Sequence, residues 1–72
     1  MPSFSERLKE LKAKSGVMQK DLAKMLDITP RTFKRYEDGE HEPSIKGLTI
    51  LADFFNVSID YLVGRSDNPK RR

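Results

Sequence analysis

Cysteine and tryptophan are both absent from these 72 residues. Without cysteine there is no disulfide and no thiolate metal site, which fits a reducing compartment and leaves packing alone to hold the fold. Long apolar runs are missing too. The longest nearly continuous one is Leu48 to Leu51, with Thr49 inside it, whereas a membrane-spanning helix needs about 20 apolar residues. No signal peptide is visible. The expectation is a cytoplasmic chain with no membrane partner. Histidine occurs once, as His41 between Glu40 and Glu42. A metal site needs several convergent ligands and a hydrolytic triad needs a positioned histidine, so neither is expected around one solvated loop histidine. No glycine-rich loop follows a strand pattern. The chain reads as a non-enzyme without cofactor or metal, and its length suits one small domain.

What is present is charge, unevenly spread. The net +3 divides into +5 over residues 1–36, −5 over 37–64 and +3 over 65–72. A basic front, an acidic middle and a basic end make a polarised field suited to an anionic partner, although an unevenly charged solvated surface gives the same tally.

The apolar pattern is helical throughout, and no segment alternates as a strand would. "SFSE", Ser3 to Glu6, is a capping box that opens a first helix from about Phe4 to Lys14, with Phe4, Leu8 and Leu11 on one face and Gly16 as its stop. A second helix runs from about Gln19 to Leu26, with Leu22 and Ala23 inward. Asp27 tolerates the left-handed backbone of a tight turn. Thr29 then serves as N-cap and Pro30 as the first helical residue of a third helix, which reaches about Asp38 and stops at Gly39. After the loop "EHEP", Ser44 caps a fourth helix carrying Ile45, Leu48, Leu51, Ala52 and Phe55. Ser58 caps a short fifth with Ile59, Leu62 and Val63 on its inner face, ended by Gly64. This predicts an all-α, compact five-helix bundle over residues 1–64, followed by a flexible basic tail, 65–72.

In the third helix, Arg31, Lys34 and Arg35 share an arc of roughly 100°, with Phe33 and Tyr36 opposite. Such segregation occurs in any amphipathic helix. The tight turn from the second helix sharpens it, because two short helices so joined, the second with basic residues near its start, fit the DNA major groove. Arginine there can form paired hydrogen bonds to guanine.

The stretch from Met18 to Gly64 resembles the helix-turn-helix domain of the lambda repressor and Cro type. Its landmarks are Gln19, "LA" at Leu22 and Ala23, Ile28 with Thr29, "RYEDG" at Arg35 to Gly39, "PS" at Pro43 and Ser44, "LA" at Leu51 and Ala52, and "VSIDYLVG" at Val57 to Gly64. With the first helix included it covers nearly the whole chain. The resemblance implies base contacts from Thr29, Pro30, Arg31, Lys34 and Arg35, where Pro30 offers only apolar contact. It implies phosphate contacts from Gln19, Thr32, Ser44 and Lys46. It also implies a structural ion pair between Lys12 and Glu37, and a homodimer formed near the last helix, where Phe54 and Tyr61 are expected at the surface. Met18 stands where the family usually has a Ser or Thr cap, Asp27 where it often has glycine, and "GEHEP" is acidic where relatives are often basic. The implied function is a double-stranded-DNA-binding transcriptional regulator, a repressor at a near-palindromic operator. The competing expectation is a protein-interaction module, such as an antitoxin, whose acidic middle binds a basic protein partner.

Overall fold

The computed structural model describes residues 3–70, so Arg71 and Arg72 of the expected tail lie outside the described residues. Among the described residues the chain forms five helices and no strand: α1 Phe4–Ser15, α2 Gln19–Met25, α3 Pro30–Glu37, α4 Ile45–Phe55 and α5 Ile59–Leu62.

The expected caps account for the helix starts. Ser3 accepts the Glu6 amide at 3.3 Å while Glu6 Oε1 accepts the Ser3 amide at 3.2 Å, closing the capping box. Ser44 and Ser58 accept the amides of Gly47 and Tyr61. Met18 heads α2 with no side-chain cap, as an apolar residue must. Gly16 ends α1 in the left-handed region, at φ 72°. The turn between α2 and α3 takes the same conformation at Asp27, φ 59°, without glycine. There the amides of Asp27 and Ile28 close back onto the carbonyls of Lys24 and Ala23.

Every helix contributes to one core. Phe33, Leu8, Leu22, Leu51 and Leu62 are completely buried, and Ile28, Leu48 and Phe55 pack half-buried against them. Burying one such side chain is worth roughly 1.5–3 kcal/mol. Tyr36 joins α3 to α1, with its ring edge-on to Phe4 at 6.5 Å and to Phe33 at 6.1 Å between centroids. α2 packs on α3, α3 on α1, and α5 on both α4 and α1. Thus α3 is held from two sides and turns its third side outward.

Two expectations at the far end of the bundle need correction. Tyr61, expected at the surface as a dimer contact, is 7% exposed, whereas Ile59, expected inward, is 39% exposed. A helix of four residues is about one turn, too short for apolar spacing to choose its inner face. Here the choice is made by Arg7 of α1, whose guanidinium carbon lies 3.8 Å from the Tyr61 ring centroid. The segment expected as a free tail also makes contacts. Asp67 reaches Arg7 Nη2 at 3.3 Å, and the Ser58 amide donates to the Pro69 carbonyl at 3.0 Å.

Candidate nucleic-acid interface

α3 is amphipathic in the way that matters for a site. Phe33 and Tyr36 are buried; Arg31, Lys34 and Arg35 are exposed. Among the described residues Arg31 and Arg35 form no ion pair. Lys34 Nζ lies 3.6 Å from Asp38 Oδ1, one turn on, with both side chains largely in solvent. An exposed pair of that kind is worth roughly 0.3–0.5 kcal/mol and exchanges readily for another anion. Three cations therefore stand on one face with little to neutralise them.

The start of α3 is fixed by polar contacts. Thr29 Oγ1 accepts the Thr32 amide at 3.2 Å and donates to Thr32 Oγ1 at 3.1 Å. Gln19, half-buried at the start of α2, donates from Nε2 to the Pro30 carbonyl at 3.1 Å. The expected phosphate ligand thus ties α2 to α3, and a second amide hydrogen remains for another acceptor.

Lys12 Nζ lies 2.7 Å from Glu37 Oε2, with the lysine side chain 26% and the glutamate 11% exposed. This pair links α1 to the last residue of α3 and draws one acidic group of α3 away from its basic face. The N-terminus of α4 supplies the remaining expected residues. Ser44 and Lys46 are exposed there, and Ser44 caps the Gly47 amide. A side chain at Gly47 would meet Pro43 Cβ at 2.9 Å, so this turn packs too closely for a larger residue. Glu40, His41 and Glu42 occupy the loop between α3 and α4, where His41 stacks on Tyr36 at 6.0 Å with the rings 7° from parallel. Among the described residues no group of three His, Cys, Asp or Glu could hold a metal. No helix there is long and apolar enough to cross a membrane.

These parts lie at the start of α2, along the outward face of α3 and at the start of α4. A helix-turn-helix family model matches residues 8–62. The chain belongs to the helix-turn-helix family, in its lambda repressor-like form. The family's members are DNA-binding transcriptional regulators, not enzymes. The HTH-type transcriptional regulator ImmR of Bacillus subtilis (strain 168) is 36% identical over 69 residues, a match that covers 96% of this helix-turn-helix chain and 54% of ImmR. The chain thus spans about half the length of curated relatives such as ImmR. A transcriptional regulator from Listeria innocua, known from its crystal structure, is 40% identical with a TM-score of 0.83, covering 86% of this chain and 58% of that one. The P22 c2 repressor protein, crystallised with synthetic operator 9T, is 26% identical with a TM-score of 0.81 and covers 92% of this chain and 100% of its own.

The residue that sequence reasoning passed over is Arg7. It is the one charged residue buried among the described residues, 4% exposed, and its Nε has no hydrogen-bond partner there. Burial works against its charge, yet Tyr61 and Asp67 outweigh that and hold the guanidinium pKa above its ordinary value. Its position carried the signal, since residue 7 lies three after Phe4 and four before Leu11, inside the apolar stripe.

Proposed function

We propose that the chain is a sequence-specific double-stranded-DNA-binding repressor that acts as a homodimer, with α3 of each copy in the major groove of a near-palindromic operator. The observation that carries the reading is the outward face of α3, where Arg31, Lys34 and Arg35 stand exposed over a helix held by Phe33 and Tyr36. The major groove admits one helix, and arginine reads guanine through paired hydrogen bonds, so Arg31 and Arg35 are the base readers and Lys34 a flexible third. Pro30 can offer a thymine methyl only apolar contact. Gln19, Thr32, Ser44 and Lys46 grip phosphates on either side, which sets register without reading sequence. Binding of P22 c2 to its operator supports the same mode for this chain.

For the dimer, the exposed apolar residues at the α4–α5 end are Phe54, 43% exposed, and Ile59, 39% exposed. With Tyr61 turned inward, the proposed contact passes to Phe54 and Ile59. It would set two α3 helices about one DNA turn apart, roughly 34 Å.

The test is selection of bound duplexes from a random library at two salt concentrations. Recovery of an inverted repeat with half-sites about one turn apart is the expected result, together with loss of dimer in sedimentation for Phe54→Lys. Weak binding without any motif, lost at the higher salt, would sink the repressor reading and favour a protein partner for the acidic middle.

A further inference from the structure

Thr29 belongs to the residues expected to touch bases, yet its one hydroxyl hydrogen is already used within the protein. The oxygen accepts the Thr32 amide at 3.2 Å, and the single hydrogen is given to Thr32 Oγ1 at 3.1 Å. A hydroxyl has one hydrogen to donate, so Thr29 has none left for DNA. Thr32 is placed differently. Its oxygen receives the Thr29 hydrogen, and its own hydrogen has no acceptor among the described residues. Of the neighbouring backbone, Pro30 has no amide hydrogen and the Phe33 amide is bonded to the Thr29 carbonyl at 3.1 Å.

We propose that Thr29 is a positioning residue rather than a base reader: by capping the Thr32 amide and donating to Thr32 Oγ1 it holds the Thr32 hydroxyl with its hydrogen turned away from Thr29, as a donor for a DNA phosphate. The proposal rests on the reading of α3 as the groove helix and names what one hydroxyl does there. Base edges offer donors and acceptors in patterns that vary with sequence, whereas phosphate oxygens only accept. A hydroxyl held as a donor therefore suits the phosphate whatever the bases are. A hydrogen bond to a charged oxygen is also the stronger kind.

Substitutions at both positions test this in the full chain. Affinity would be measured by fluorescence titration against the selected duplex and a scrambled one, with thermal melts to establish that each variant folds. Thr32→Val is expected to weaken binding to both duplexes alike, roughly tenfold. Thr29→Asn keeps an N-cap oxygen but lets that oxygen accept from the Thr32 hydroxyl as well as its amide, turning the hydroxyl inward. It is expected to weaken both duplexes several-fold, and the Thr29→Asn/Thr32→Val double variant to bind no worse than Thr32→Val alone. Thr29→Ser, which can make both bonds, is expected to rescue most of what Thr29→Asn loses. The proposal is overturned if Thr32→Val binds as well as the parent, if the two losses multiply in the double variant, or if Thr29→Asn changes preference at one operator base. Failure of the parent chain to bind any duplex would instead remove the underlying reading of α3.

Discussion

Arginine occurs in two parts of this small molecule in opposite circumstances. Arg7 is buried against Tyr61, reaches Asp67 and helps hold α1 to α5. Arg31 and Arg35 stand in solvent without an ion pair among the described residues. The residue type is the same, so the environment assigns the role. At the α5 end the protein itself supplies the partners of the cation, and the charge serves the fold. On α3 nothing local does, and the charge is left for an anion from outside.

The largest expected effect comes from breaking the buried side of that contrast. Arg7→Ala removes the stack on Tyr61, leaves a cavity beside that ring, and frees Asp67. Loss of a large side chain from a packed site costs about 2–4 kcal/mol, and in a domain this small that shifts the melting temperature by about 8–32 °C. Arg7→Lys should recover only part of it, because an ammonium cannot lie flat on the ring. Asp67 is 79% exposed in its side chain, so Asp67→Asn should change stability by less than about 1 kcal/mol. Chemical denaturation of the three variants checks the ordering; an Asp67→Asn loss as large as that of Arg7→Ala would mean that the ion pair, not the packing on Tyr61, holds this end.

A smaller effect, on another property, is expected at the other end. Arg31→Ala or Arg35→Ala should leave the stability nearly unchanged, within about 0.5 kcal/mol, since neither side chain is buried. Each should cost about 1–3 kcal/mol of operator binding and relax base preference at one position per half-site. Competition binding against duplexes altered one base pair at a time reads this directly. A uniform loss over all duplexes would reassign that arginine to a phosphate.

The two ends were not equally legible in the sequence. Ser3, Thr29, Ser44 and Ser58 announced their helices because capping is a local matter of one side chain and one amide, and all four caps form. The outward face of α3 was legible for a similar reason: eight residues are enough for a helical period to separate Phe33 and Tyr36 from the basic side. The α5 end was harder. Its four residues cannot define a face, so Tyr61 and Ile59 exchange their expected places. The cause, Arg7, lies in α1, where its place in the apolar stripe marks it as buried but does not say which ring it meets. The hydroxyl of Thr29 was hidden in another way, since a residue type that caps and a residue type that contacts DNA are spelled alike.

The smallest expected effect sharpens the contrast at the α1 start, where charge again serves the fold. The hydrogen bond from the Ser3 backbone amide, and then that from its side chain, lower the Glu6 pKa below its ordinary value. A carboxylate with a depressed folded pKa contributes stability that is fully present above its unfolded pKa and is lost as pH falls through the folded one. The window is therefore acidic, beginning near the ordinary carboxylate pKa of 4.5 and extending below it. Glu6→Gln keeps the geometry of the box, since glutamine also closes it, and removes the titration. Between about pH 6 and about pH 3 the parent should lose slightly more stability than Glu6→Gln, so that the parent is slightly the more stable near neutral pH and the two converge at the acid end. Denaturant midpoints at both pH values measure this, and parallel acid losses would mean that the Glu6 charge takes no part in holding α1.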